Sequence, residues 1–200
     1  MSIPKQLPNY LTILRVILVP AFVIVLTAGI PFPAVNVIAA VVFLITALTD
    51  MLDGKLARKY DLVSDFGKIM DPLADKFMVF ASMITLLVAE GFEHLRPVLL
   101  WATLIVILRE LAVTSMRLVV SGKTNATGLA ANILGKVKTV SQIVFIMTAL
   151  LEPVLFGEIL TFASVIAEYS ILTYATMAFM TVMTAWSGIN YIVGYAKLMK

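Results

Sequence analysis

The stretch Asp50-Met51-Leu52-Asp53-Gly54-Lys55-Leu56-Ala57-Arg58, followed after eight residues by Gly67-Lys68-Ile69-Met70-Asp71-Pro72-Leu73-Ala74-Asp75, sets four aspartates in two long apolar runs. An ionised carboxylate at the centre of a membrane helix costs about 2.5–3.5 kcal/mol on insertion scales, so four of them facing lipid would be prohibitive. They must face an enclosed polar cavity. At about 100° per residue, Asp50 and Asp53 lie about 60° apart and Asp71 and Asp75 about 40° apart, so each pair shares a helix face. The two runs cross in opposite directions and are joined by about a dozen residues, which brings both pairs to one end of neighbouring antiparallel helices. Four carboxylates then converge on one point.

The rest of the chain is equally apolar. Of 200 residues, 61% are hydrophobic and 14% charged, and the mean hydropathy is +1.02, outside the range of soluble domains. Runs long enough to cross about 30 Å of hydrocarbon recur at 11–29, 33–55, 69–89, 97–120, 133–151 and 170–195. The predicted fold is an all-α integral membrane bundle of six transmembrane helices. It forms one domain over 1–200, in which residues 1–10 are a short interfacial segment and the helices occupy 11–195. The first run is as long as the others and has no clear small-residue cleavage site, so it is expected to remain as a span.

The formal charge of +3 is spread along helix ends rather than gathered into a basic stripe, which argues against nucleic acid as a partner and suits anionic lipid headgroups. Every Lys and Arg except Arg96 and Arg109 falls at one set of ends. Because such cations are retained on the cytoplasmic side, both termini and the aspartates are expected on the cytoplasmic face of the cell membrane. The absence of cysteine removes disulfides, thiolate metal sites and cysteine nucleophiles. His94, the one histidine, reads as surface in a short outer loop with Glu93 and Arg96. The outer connections, Glu152 to Glu168 among them, read as plain turns.

Four crowded carboxylates raise one another's pKa values unless cations neutralise them. Hard divalent ions with oxygen ligands, Mg²⁺ or Mn²⁺, meet that need. Gly54 lies about 40° from Asp50 on the same face, so a phosphate can approach the backbone there, and Ala57 extends the bare strip. Arg58 offers a planar fork of donors for phosphate or a pyrimidine carbonyl, and Gly67 lets the chain enter the third helix tightly. Singly, each aspartate could cap a helix, pair with Lys55, Lys59, Lys68 or Lys76, or serve a proton relay. The whole set at fixed spacings points to catalysis.

That set, Asp50-x2-Asp53-Gly54-x2-Ala57-Arg58-x8-Gly67-x3-Asp71-x3-Asp75, resembles the signature of the CDP-alcohol phosphotransferases without a departure, and the resemblance covers nearly the whole chain. It implies six membrane helices, a homodimer, and transfer of a phosphoryl-linked group from a CDP-alcohol to a second alcohol with release of CMP. It further implies that Asp50, Asp53 and Asp71 hold the metals, two ions in all, with Asp75 also near them. Asp50, Gly54, Ala57, Arg58 and Gly67 are then expected to frame the CDP moiety. Asp75 is the expected general base, removing the proton of the acceptor hydroxyl.

Further motifs, Asn9-x-Leu11-Thr12-x-x-Arg15, Arg109-Glu110-x-x-Val113-Thr114-x-x-Arg117 and Gly135-Lys136-x-Lys138-Thr139, resemble the branch whose donor is CDP-diacylglycerol and whose acceptor is sn-glycerol 3-phosphate. Ser115 and Asn190 depart from its usual Gly and Asp. An acceptor bearing phosphate needs cations, and Arg109, Arg117, Lys136 and Lys138 are the candidates. Arg109 could instead pair structurally with Glu110 or Glu168. Asn9, Thr12 and Arg15 are further candidates to frame nucleotide or acceptor, with capping by Thr12 and snorkelling by Arg15 at a helix start as the alternative. Phosphatidylglycerol, inositol phosphate or serine are alternative acceptors within the same chemistry. A cation transporter is the alternative from another class; the crowding of the carboxylates at one end and the lack of an inverted repeat count against it.

Overall fold

The computed structural model describes residues 7–60, 65–120, 133–160 and 164–198, without side-chain detail at 7–9, 11–12, 51–60, 65–75, 118–120, 164 and 198. The described chain is helical. In order come α1 (Leu7–Thr27), α2 (Ala34–Tyr60), α3 (Asp65–Val88), a 3-10 turn (Glu93–Leu95), α4 (Arg96–Val120), α5 (Ile133–Glu152), a π-helical stretch (Pro153–Ile159), α6 (Ser164–Glu168) and α7 (Ile171–Leu198). Each expected span falls on one of the long helices, but several ends move. Helix α1 starts at Leu7, with Pro8 in its first turn where a missing N–H costs nothing, so Asn9 and Tyr10 are helical rather than part of an interfacial stub. Helix α2 continues to Tyr60 and α3 begins at Asp65, which puts Arg58, Gly67 and Lys68 on helices rather than in a connection.

Among the described residues, two stretches, Glu93–Arg117 and Ile133–Ile159, have both the length and the mean hydropathy, 1.8 each, to cross a membrane. Within the described side chains, the apolar parts of three others cover Ile13–Thr27, Ala34–Asp50 and Lys76–Val88. Outward faces are nevertheless apolar: Trp101, Leu104, Leu108 and Leu111 on α4, and Phe179, Val182, Trp186 and Ile189 on α7, are all exposed. Their spacing of three and four residues marks one stripe per helix. A bundle that turns such stripes outward is a membrane-associated helical protein.

Contacts fix the helix directions. Asn36 near the start of α2 donates to the Leu150 carbonyl at the end of α5, at 2.9 Å. Arg15 in the first half of α1 pairs with Asp50 late in α2, and Arg109 late in α4 reaches Ser187 late in α7. Helices α1, α3 and α5 therefore run one way, and α2, α4 and α7 the other. The buried apolar core, which includes Phe22, Phe43, Met83, Leu99, Phe145 and Met180, occupies the half of the bundle remote from Asp50. The half containing Asp50 holds the buried ionisable groups Arg15, Glu110 and Lys138; Glu152 lies at the other end.

At the remote end, Glu152 corrects the reading of that connection as a plain turn. It is buried and accepts hydrogen bonds from the backbone N–H of Leu172 (2.9 Å) and Thr173 (2.7 Å) and from the Thr173 hydroxyl. A carboxylate there satisfies the orphan donors of the α7 N-terminus and complements its dipole. His94 is more than surface as well. Its Nε2 lies 2.8 Å from the Ser170 hydroxyl, and its carbonyl accepts from the Tyr174 hydroxyl at 2.8 Å. These bonds hold Ser170 in the left-handed region (φ 48°) where the chain turns into α7.

Candidate active site at one end of the bundle

Asp50 is the expected metal ligand whose side chain the structure describes. Its Oδ1 lies 2.9 Å from Arg15 Nη1; the carboxylate is 37% exposed and the arginine side chain 0%. A guanidinium sealed inside the bundle thus presents Asp50 toward the open end. Arg15 does not snorkel at a helix start. It is enclosed between α1 and its neighbours because α1 begins two turns before it and packs against both α2 and α3. Asp53 and Asp71, with Asp75, lie on α2 and α3, but their side chains, and those of Gly54, Ala57, Arg58, Gly67, Asn9 and Thr12, lie outside the described residues. Among the described residues, no three His, Asp or Glu side chains gather as a metal-binding group.

A second ionic centre sits across the bundle on Glu110. Arg109 Nη1 donates to Glu110 Oε1 at 2.9 Å, and Lys138 Nζ donates to the same oxygen. Arg109 Nη2 also donates to Ser187 Oγ at 2.7 Å, tying α4 to α7, while Lys138 ties α5 to α4. Two cations on one carboxylate leave a net positive charge in a buried place. Of the two partners expected for Arg109, Glu110 is the one it uses; Glu168 lies on α6, at the end of the bundle remote from Asp50. The expected acceptor cations thus divide. Arg109 and Lys138 meet on Glu110, Lys136 is exposed, and Arg117, also exposed, stands 6.0 Å from the centroid of the Tyr191 ring.

The cation set is legible in the sequence as charges, whereas the role of Glu110 in organising two of them, and the place of Gln142 beside them, emerge only from the packing of the helices. Gln142 follows Lys138 by one helical turn, so it shares that face of α5. Together with Lys76, Val79 and Phe80 of α3 and Glu110 of α4, these two side chains line a small cavity. Gln142 is the one amide side chain of α5, and that is the signal that marks it.

Gly188 supplies the space Arg109 needs. A Cβ there would stand 2.9 Å from Arg109 Cγ, closer than real Cβ contacts allow. Arg109 is tethered at its far end to Glu110 and Ser187, so its stem has little room to give. Gly188→Ala gains about 1 kcal/mol in helix propensity against an overpacking cost of about 1–3 kcal/mol. The expected net result is a lower melting temperature in detergent–lipid micelles; an unchanged or raised value would mean that the stem moves freely.

An all-helical membrane-associated bundle with its buried ion pairs collected at one end is a membrane protein whose chemistry is to be sought at that end. The chain belongs to the CDP-alcohol phosphatidyltransferase family, whose model it matches over residues 5–186. It is 37% identical over 193 residues to the CDP-diacylglycerol–glycerol-3-phosphate 3-phosphatidyltransferase of Bacillus subtilis (strain 168), covering 90% of this chain and 92% of that relative. Proteins of the same description match in Salmonella typhimurium (34% over 178 residues, 86% of this chain and 94% of the relative) and in Rickettsia bellii (39% over 117 residues, 58% and 60%).

Proposed function

We propose that this chain transfers the phosphatidyl group of CDP-diacylglycerol to sn-glycerol 3-phosphate, giving phosphatidylglycerol phosphate and CMP. The reading rests on family membership over nearly the whole chain, shared with relatives of that activity. The observation that carries it onto the structure is the presentation of Asp50 by Arg15 at the end where the buried charges gather. The six long helices form the transmembrane bundle. Their cation-rich ends face the cytoplasm, so a lipid donor enters from the side and a soluble acceptor from the aqueous mouth. The protein acts as a homodimer, as the family resemblance implies.

Asp50, Asp53, Asp71 and Asp75 would hold two divalent cations, Mg²⁺ or Mn²⁺. The described part of the set fits, because Asp50 is an oxygen donor open to the mouth and fixed from behind by a buried positive charge. When bound, such ions neutralise charge on the pyrophosphate and on the departing CMP. Gly54 and Ala57 leave room for the phosphates against α2, and Arg58 donates to the nucleotide. Asp75 accepts the proton of the acceptor hydroxyl. The oxygen so activated bonds to the phosphorus bearing diacylglycerol, the bond from that phosphorus to the CMP oxygen breaks, and CMP leaves with the electron pair. Arg109, Arg117, Lys136 and Lys138 supply positive charge for the acceptor phosphate, with Glu110 holding two of them in place.

The test is direct. Purified protein supplied with CDP-diacylglycerol, Mg²⁺ or Mn²⁺ and a panel of acceptors should release CMP chiefly with glycerol 3-phosphate. Silence with every acceptor would overturn the enzymatic reading, and release chiefly with inositol phosphate, serine or phosphatidylglycerol would overturn the choice of acceptor.

A further inference from the structure

We infer that Gln142 recognises the central, non-reacting hydroxyl of the acceptor, an inference that rests on the phosphatidyl-transfer reading and names a specificity residue within it. Gln142 is 1% exposed, and among the described residues its Nε2 has no hydrogen-bond partner. An amide nitrogen carries two donor hydrogens, and a buried donor left unmade is costly enough that folded proteins rarely keep one without a purpose. This one belongs to the wall of the cavity shared by Lys76, Val79, Phe80, Glu110 and Lys138. Around it Glu110 is engaged by both Arg109 and Lys138, so the orphan amide is a neutral donor of that wall open to an incoming oxygen, with Lys76 the further cation beside it.

The size of the cavity decides what enters. About 10 Å³ is open, close to the least that holds one water-sized group. A single hydroxyl is a group of that size. Lys76 directly follows Asp75 in α3, so the cavity opens beside the segment that carries the proposed base. Glycerol 3-phosphate has a terminal hydroxyl able to attack and a central one that does not react. A hydrogen bond from Gln142 Nε2 to the central oxygen fixes the glycerol backbone, and with the phosphate held by the cations the terminal hydroxyl has few orientations left. A site built to bond a hydroxyl rejects the analogue that lacks it, because its own donor is then left unpaired.

The full-length protein in detergent–lipid micelles, given CDP-diacylglycerol, Mg²⁺ or Mn²⁺ and either glycerol 3-phosphate or 3-hydroxypropyl phosphate, tests this. The second acceptor keeps the phosphate and the terminal hydroxyl and lacks only the central one. The unmodified protein is expected to favour glycerol 3-phosphate by about 100-fold or more in kcat/KM. Gln142→Leu should lower kcat/KM for glycerol 3-phosphate by about that factor and leave the deoxy acceptor nearly unchanged, so that the preference collapses. Equal loss with both acceptors, or no preference in the unmodified protein, overturns the assignment and leaves Gln142 a structural or water-binding group. Gln142→Met, close in shape, carries the same expectation should the leucine variant not fold. CMP release with glycerol 3-phosphate but without discrimination fails Gln142 alone; no CMP with either acceptor fails the phosphatidyl-transfer reading and this one with it.

Discussion

Asp75→Asn is expected to reduce CMP release by about 10²–10⁴-fold, the range that a positioned general base contributes. The substitution keeps size and hydrogen-bonding shape but removes the group proposed to take the acceptor proton. CDP-diacylglycerol and Mn²⁺ should still bind, because Asp50, Asp53 and Asp71 remain. The effect should appear in kcat with KM for glycerol 3-phosphate little changed, as for an interaction made only in the transition state. Titration of Mn²⁺ and of the CDP-lipid onto the variant separates the two roles. Loss of binding in step with loss of turnover would make Asp75 a ligand and not a base.

How far the sequence reaches differs between the fold and the site. The long helices could be read from runs of apolar residues because lipid and core both demand them, and a run of that length has few other uses. Their ends could not. Charged residues at 58–68 look like a loop by composition, yet α2 continues to Tyr60 and α3 begins at Asp65. The aspartate frame was legible because its spacing is local: residues three or four apart share a helix face whatever the rest of the chain does. Arg15 with Asp50, and Glu110 with Lys138, are different. Each joins two helices, and whether a mid-helix cation is buried against a carboxylate or reaches water depends on a packing that periodicity does not encode. Glu152 was missed for the same reason, since a carboxylate that caps another helix looks like any polar residue at a turn.

Glu110→Ala is the substitution with the largest expected cost in stability, because this carboxylate holds two cations. Arg109 and Lys138 both reach Glu110 Oε1, and Glu110 is buried. Breaking a buried ion pair by removing one partner costs about 3–5 kcal/mol, since the charge left behind has neither water nor a counter-ion. Here two charges lose the carboxylate they share and repel each other. Lys138→Ala leaves the Arg109–Glu110 pair and its bond to Ser187 intact, so it should cost clearly less. The double variant Glu110→Ala/Lys138→Ala should then recover part of the loss, because the repulsion between the two cations is gone. That non-additivity is the signature of a shared partner. Thermal unfolding of the three variants in the same micelles measures it, and the KM for glycerol 3-phosphate should rise in each as the positive charge at the acceptor site is displaced or lost. If Glu110→Ala proves no more costly than Lys138→Ala, Glu110 is one partner among several and not the anchor of the site. If the double variant is as unstable as the sum of the singles, the two cations do not depend on each other through it.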